Sequence, residues 1–238
     1  AGLLGRSQLS AGQADDARRT LETLRDRFEK NGLSRFLPNI DAMLCRIDLH
    51  TGHLDRADGW YREKAPRDPM HLDVMKRYQY FTQAQVELAD GKPDAALLTL
   101  SPLEPYTKAC ARYIDGVHLD VMCAIALYRK KDSAWRARLA DALETAVEFR
   151  FIRTVSVYGG AVLPLLEEVK WEGDTRWFKR LMAEVRMQAA YYPAFLRPRL
   201  APSEMLTGTE LQVLRLLCAD KSNAEIGAVL DIKLPTVK

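Results

Sequence analysis

A chain of 238 residues, 47% apolar and 28% charged, is long enough to bury one large or two modest cores and has the make-up of an ordinary globular protein. A net charge of +3 is too small to argue for nucleic acid, and there is no run of eighteen apolar residues and no charged-then-apolar leader to suggest a membrane span or a secretion signal. Cys45, Cys110, Cys123 and Cys218 lack paired spacing and mostly sit in apolar helical runs, which fits small residues in a reducing compartment, the cytoplasm, better than disulfides. Because it begins with Ala-Gly and ends inside a motif, the chain is expected to be a piece of a larger protein or its ordered part.

From the N-terminus the sequence repeats about every forty residues. A turn glycine is followed five residues later by alanine: Gly12 with Ala17, Gly52 with Ala57, and Gly91 with Ala96, at spacings of 40 and 39 residues. Seven residues before each glycine stands another small residue, Gly5, Cys45 or Ala84, and a degenerate fourth copy pairs Ala124 with Lys131, its glycine lost. Small residues at these places let paired helices approach closely, while the glycine ends the first helix and permits the turn into the second. Residues 1 to about 192 are therefore predicted to form consecutive antiparallel helix pairs with no β-sheet. Trp60, Tyr61, Trp171, Trp177 and Phe178 lie at helical spacing and predict packing between helices.

This pattern is similar to tetratricopeptide repeats, and its longer period resembles the sensor domain of MalT-like regulators. The segment Phe151 to Val169 (FIRTVSVYGGAVLPLLEEV) resembles the last repeat of that family, with its aromatic-Ile-Arg-Thr start, its glycine and its closing Leu-Leu. The resemblance implies an all-α fold, a right-handed helical-repeat solenoid (tetratricopeptide-like) over residues 1–192. In that family the first helix of each pair lines the concave side, through residues thirteen, ten, six, three and two places before the turn. Carried onto this chain, the stripe selects Asn39, Ala42, Arg46, Leu49 and His50, then Tyr78, Phe81, Gln85, Leu88 and Ala89, then His118, Val121, Ile125, Tyr128 and Arg129.

Of these, Asn39, Arg46, His50, Tyr78, Gln85, His118, Tyr128 and Arg129 form the candidate groove for a small-molecule or protein effector, since they set polar and aromatic groups on an apolar floor. Arg46, Gln85 and His118 are expected to project toward one concavity. As polar groove residues they are expected to matter for binding and little for stability. The plainer alternative makes each stripe residue structural.

Other chemistry is not indicated. The histidines His50, His53, His71 and His118 form no His-Glu-x-x-His pattern and have no cysteine at ligand spacing, so no metal site is expected. Acidic pairs such as Asp15-Asp16 and Glu167-Glu168 read as solvated helix faces, and no catalytic constellation is found, so the chain is not expected to be an enzyme. The MalT-like resemblance implies an ATP-binding domain upstream. No cofactor is expected in this chain, because Gly91-Lys92 lacks the preceding glycine and the following hydroxyl of a phosphate loop.

Tyr191 to Met205 (YYPAFLRPRLAPSEM) carries Pro193, Pro198 and Pro202 without a period, and residues 193–205 are predicted to be a linker that lets the next unit move. From Leu206 to Lys238 two capping boxes, Thr207 with Glu210 and Ser222 with Glu225, each precede an apolar helical face. Pro235 then suits the first turn of a third helix.

Leu206-Thr207, Glu210, Val213-Leu214, Ser222-Asn223, Glu225-Ile226 and Thr236-Val237-Lys238 resemble, in register, the LuxR-type helix-turn-helix. The resemblance implies a partial helix-turn-helix over 206–238, with DNA contacts from Lys233, Thr236, Val237 and Lys238. It also implies a bacterial transcriptional regulator whose repeat domain senses an effector or partner and controls the DNA-binding unit, acting as a homo-oligomer. The alternative is a tetratricopeptide-type interaction scaffold that does not bind DNA. Residues 1–238 alone are not expected to bind DNA with sequence specificity, since most of the recognition helix lies beyond Lys238.

Overall fold

Left-handed backbone marks every turn that the forty-residue period predicts. A computed structural model describes residues 2–67, 72–197, 212–213, 216–218 and 221–230. In it Gly12, Gly52 and Gly91 have φ of 80°, 77° and 69°. Lys131, where the fourth glycine is missing, takes φ 59° all the same. The packing of the flanking helices dictates this turn, and the lysine accepts a conformation that costs an L residue on the order of 1 kcal/mol. At each turn the next residue donates its N–H to the carbonyl five places back: Gln13 to Gln8, His53 to Asp48, Lys92 to Glu87 and Asp132 to Leu127, at 2.8–3.0 Å. This bond satisfies one of the carbonyls that a helix end otherwise leaves unpaired.

The turns divide the chain into helix pairs: α1 (Gly2–Ser10) with α2 (Ala14–Lys30), and α3 (Leu37–Thr51) with α4 (Leu54–Lys64). The third pair sets α5 (Arg77–Ala89) against α6 (Pro93–Leu100), continued by α7 (Leu103–Ala109); the fourth is α8 (Tyr113–Arg129) with α9 (Trp135–Glu148). In the last pair the first helix is broken into α10 (Ile152–Ser156) and α11 (Gly159–Glu168), and α12 (Thr175–Tyr191) packs on both. No strand occurs among the described residues.

Small residues are buried where close approach was predicted. Ala17, Ala57, Ala84, Ala96 and Ala124 are fully buried, as is Cys45, and at Gly5 a Cβ would stand 3.0 Å from the Leu21 side chain. The first helices stack in order, α3 on α5, α5 on α8, and α8 on α10 and α11. Held between neighbours, α5 is buried from Gln79 to Ala89 apart from a half-buried Gln83, polar residues included. Trp60 and Trp177 are buried on helices as predicted, whereas Trp171 lies in the loop before α12 rather than on a helix and stacks on Phe178 with ring centroids 5.5 Å apart.

The last helix returns to the first. Gln188 Nε2 donates to the Ser10 carbonyl and Tyr192 Oη to the Leu9 carbonyl, each at 2.6 Å. The start of the segment read as a linker is packed rather than free: Tyr192, Phe195 and Leu196 are buried, and this compact unit extends to Pro198. Proline does end the helix there, but Phe195 and Leu196 bury enough apolar surface, about 2 kcal/mol for each side chain, to hold the chain against the repeats.

The second unit runs from Arg199 to Lys238. In it residues 212–213 and 216–218 are helical, and α13 (Asn223–Leu230) opens with the predicted capping box. The Ser222 N–H and hydroxyl both donate to Glu225 Oε2 at 2.8 Å, and the Glu225 N–H returns to Ser222 Oγ at 3.4 Å. The other predicted box, Thr207 with Glu210, lies outside the described residues, as do linker residues 198–205.

Candidate effector groove and DNA-binding segment

Adjacent first helices are one repeat apart, so residues about forty positions apart meet. Gln79 Nε2 donates to Asn39 Oδ1 at 3.1 Å, His118 Nδ1 lies 2.9 Å from Tyr158 Oη, and Tyr128 Oη donates to Glu168 at 2.8 Å; each pair is separated by 40 residues. The predicted stripe thus lies along helices that do touch. It divides into two groups.

The first group centres on Arg46. Its Nε donates to Thr82 Oγ1 at 2.8 Å and its Nη2 to the Tyr78 carbonyl at 3.3 Å, while the guanidinium carbon sits 3.7 Å from the centre of the Tyr78 ring. A cation over an aromatic face is held by the ring quadrupole. On the next helices are Gln85, buried beside the Tyr158 hydroxyl with its Oε1 unpartnered, and half-buried His118, whose ring lies edge-on to Tyr158. Burial, followed by the positive charges of Arg46 and Arg6, pushes the His118 pKa down to about 3, so the imidazole is neutral at pH 7. Burial pushes the Tyr158 hydroxyl well above its usual range. The positive charge of Arg46 acts on both His118 and His50. Such a cluster can offer Arg46 to an acceptor or anionic group and Gln85 Oε1 to a donor.

The second group is Tyr128 and Arg129, at the end of α8. Arg129 Nη1 donates to the Leu88 carbonyl at 2.5 Å, and Nη2 donates to the carbonyl of Leu196. Burial lowers the Arg129 pKa to about 10, which still leaves it charged at pH 7. With Pro164 and Phe195 these two residues line a cavity of about 320 Å³. His50, further along the same edge, faces Tyr192 and Phe195. Arg46, Gln85 and His118 therefore come together, while His50, Tyr128 and Arg129 meet the segment that follows α12.

Thr82, Tyr158, Tyr192 and Phe195 were not in the predicted stripe. Tyr158 was findable, since it stands one period after His118. Among the described residues no three His, Cys, Asp or Glu side chains are grouped to hold a metal ion, and the cysteines are free, Cys45 and Cys123 buried, Cys110 and Cys218 exposed. The predicted DNA contacts Lys233, Thr236, Val237 and Lys238 lie outside the described residues.

A stack of helix pairs with polar groups converging from successive first helices, followed by a capped helix in a separate unit, defines a repeat-built sensor joined to a helix-turn-helix. Residues 1–172 match the MalT-like TPR region, and residues 204–238 match the bacterial regulatory proteins of the luxR family. The chain belongs to the MalT-like TPR family, and it is a bacterial transcriptional regulator in which a sensing repeat region precedes a LuxR-family DNA-binding domain. The first domain implies interaction with an effector or a protein and the second implies DNA binding; both are typical of regulators that are not enzymes. No curated relative and no solved structure matches the chain. Among the described residues no helix is long and apolar enough to cross a membrane.

Proposed function

We propose that Arg46, Gln85 and His118, with Tyr158, contact the effector in the concave groove, and that the segment Tyr192–Arg197 reports its presence to the DNA-binding domain. The observation that carries this reading is the pair of hydrogen bonds that Arg129 donates. One guanidinium holds both the end of α5, through the Leu88 carbonyl, and the segment leading toward the second unit, through the Leu196 carbonyl. Any ligand that shifts α5 against α8 strains one of those bonds, and a ligand can move the equilibrium only by such a difference in contacts between two states. The effector class favoured by Arg46 beside neutral imidazoles is a small molecule with an acceptor-rich or anionic group. The regulator acts in the cytoplasm and as an oligomer on DNA, with nucleotide chemistry supplied by an upstream domain.

The test is Arg129→Ala in the full-length regulator. Amide exchange across residues 192–197 should accelerate, and transcription from the regulated promoter should change in the absence of effector. Faster exchange with unaltered transcription would remove the segment from control and leave it a structural closure.

A further inference from the structure

A second cavity, of about 600 Å³, lies on the opposite face of α5 from Arg46, between α4 and α6. Helical spacing separates the two sites: Tyr80, Gln83 and Glu87 point away from the face that carries Tyr78, Phe81 and Gln85. The floor of this cavity is Glu87, only 3% exposed. Its Oε1 accepts three hydrogen bonds, from Tyr61 Oη at 3.0 Å, Gln83 Nε2 at 3.1 Å and Thr99 Oγ1 at 3.1 Å. Its Oε2 is buried with no partner, and so is Gln83 Oε1.

This arrangement is built and incomplete. Three donors from three elements fix the carboxylate in one orientation, yet a buried carboxylate oxygen without a donor is costly. Lys92, whose charge reaches Glu87, is held by Asp90 at 3.0 Å. Burial raises the Glu87 pKa, against the three donors and the Lys92 charge that lower it. In the ionised form both vacant atoms are acceptors, so an occupant must supply donors, and a cation draws the carboxyl to that form. The walls, which include Tyr80, Ala95, Leu98 and Pro102, require an apolar body. At the rim stand the exposed guanidinium groups of Arg62 and Arg67, whose charge opposes any cation and is outweighed only by direct contact with Glu87, so the site admits one ammonium at most.

We propose that this cavity is a second ligand site, which takes a small molecule bearing one ammonium group on an apolar body. The ammonium donates to Glu87 Oε2 and Gln83 Oε1, and the body lies against Tyr80 and Leu98. The site is independent of the effector groove, and its ligand class differs in sign of charge from the one the groove favours.

Calorimetry on the 238-residue chain at pH 7 with 2-phenylethylammonium, 2-phenylethanol and 3-phenylpropionate tests the assignment. The amine should bind at least about tenfold more tightly than the alcohol, with no binding of the carboxylate, because only the amine makes a charge-assisted bond to Glu87. Glu87→Gln keeps an acceptor for the three donors and fills the Oε2 place with an amide, so it should fold and lose the preference for amine. Leu98→Trp changes a side chain that is 67% exposed at the mouth and should weaken all binding there without disturbing the fold. Equal binding of amine and alcohol, preference for the alcohol, or amine binding unaffected by Glu87→Gln and by Leu98→Trp would each overturn the proposal.

Discussion

The imidazole of His50 lies flat against the ring of Phe195, with centroids 3.6 Å apart and planes 17° from parallel, while Tyr192 meets it edge-on at 4.9 Å. A residue at the end of α3 is thereby joined to the segment that follows α12. The His50 Nδ1 stands 2.7 Å from the Arg46 carbonyl, so Nδ1 carries the proton and the buried Nε2 is bare. Burial first, and then the charge of Arg46, lowers the His50 pKa to about 4.

This contact should make the closure acid-labile. The folded pKa lies below the unfolded value of 6.5, so the unfolded chain takes up a proton first. The contribution is fully present above pH 6.5 and is lost as pH falls toward 4. At pH 5 the loss should be on the order of 2 kcal/mol. Melting temperatures between pH 7 and pH 5 should fall more steeply for the wild type than for His50→Phe. Asp120, whose carboxyl burial pushes up to about 6, acts in the opposite sense but is common to both proteins. Parallel curves would show that His50 does not titrate with unfolding.

The turn at Lys131 offers a gain in stability. Its φ of 59° is left-handed and its side chain is exposed, so Lys131→Gly removes strain without removing a packed group. An increase of about 1 kcal/mol is expected from chemical denaturation. Gly52→Ala should do the reverse, because φ is 77° and the added Cβ would stand 3.4 Å from Ala194. A destabilised Lys131→Gly would mean that the lysine makes the turn rather than tolerates it.

Much of the architecture was legible because a repeat writes the same local rule several times. The turn glycines, the buried alanines and the partners forty residues apart all follow from one period, and even the degenerate fourth copy kept its backbone. The closure was not legible. Tyr192, Phe195 and Leu196 sit in a proline-broken stretch with no helical spacing, and their neighbours Leu9 and His50 are remote in sequence. Glu87 was missed for a different reason: a carboxylate on a helix ordinarily faces water, and only the all-round burial of α5 turns it into a cavity floor.

The capping box on α13 should hold that helix locally. Replacing Ser222 with Ala removes the hydroxyl that both donates to Glu225 and accepts from its N–H. Loss of such a cap costs about 1 kcal/mol. Amide exchange over residues 223–230 should rise several-fold while the repeat unit is unaffected. Unchanged exchange would indicate that the Ser222 backbone N–H to Glu225 suffices.

Arg46 bears most directly on the groove, and the structure revises what its removal should do. As a free groove residue it could be lost with little effect on stability, yet it bonds to Thr82 and to the Tyr78 carbonyl and lies on the Tyr78 ring. Arg46→Ala should therefore cost about 1–3 kcal/mol, from the charged hydrogen bonds and the lost stacking. Arg46→Lys should recover little of it, since an ammonium cannot bond Thr82 and lie flat on the ring together. Gln85→Met is the complementary variant. Its Oε1 has no partner, although the side chain bonds the Tyr158 hydroxyl, so an apolar side chain of similar length should cost no more than that one neutral hydrogen bond, about 1 kcal/mol, while a ligand that needed the amide would no longer bind. Denaturation curves for the three variants separate the roles: a neutral Arg46→Ala would return that residue to the ligand alone, and a strongly destabilised Gln85→Met would make the amide structural.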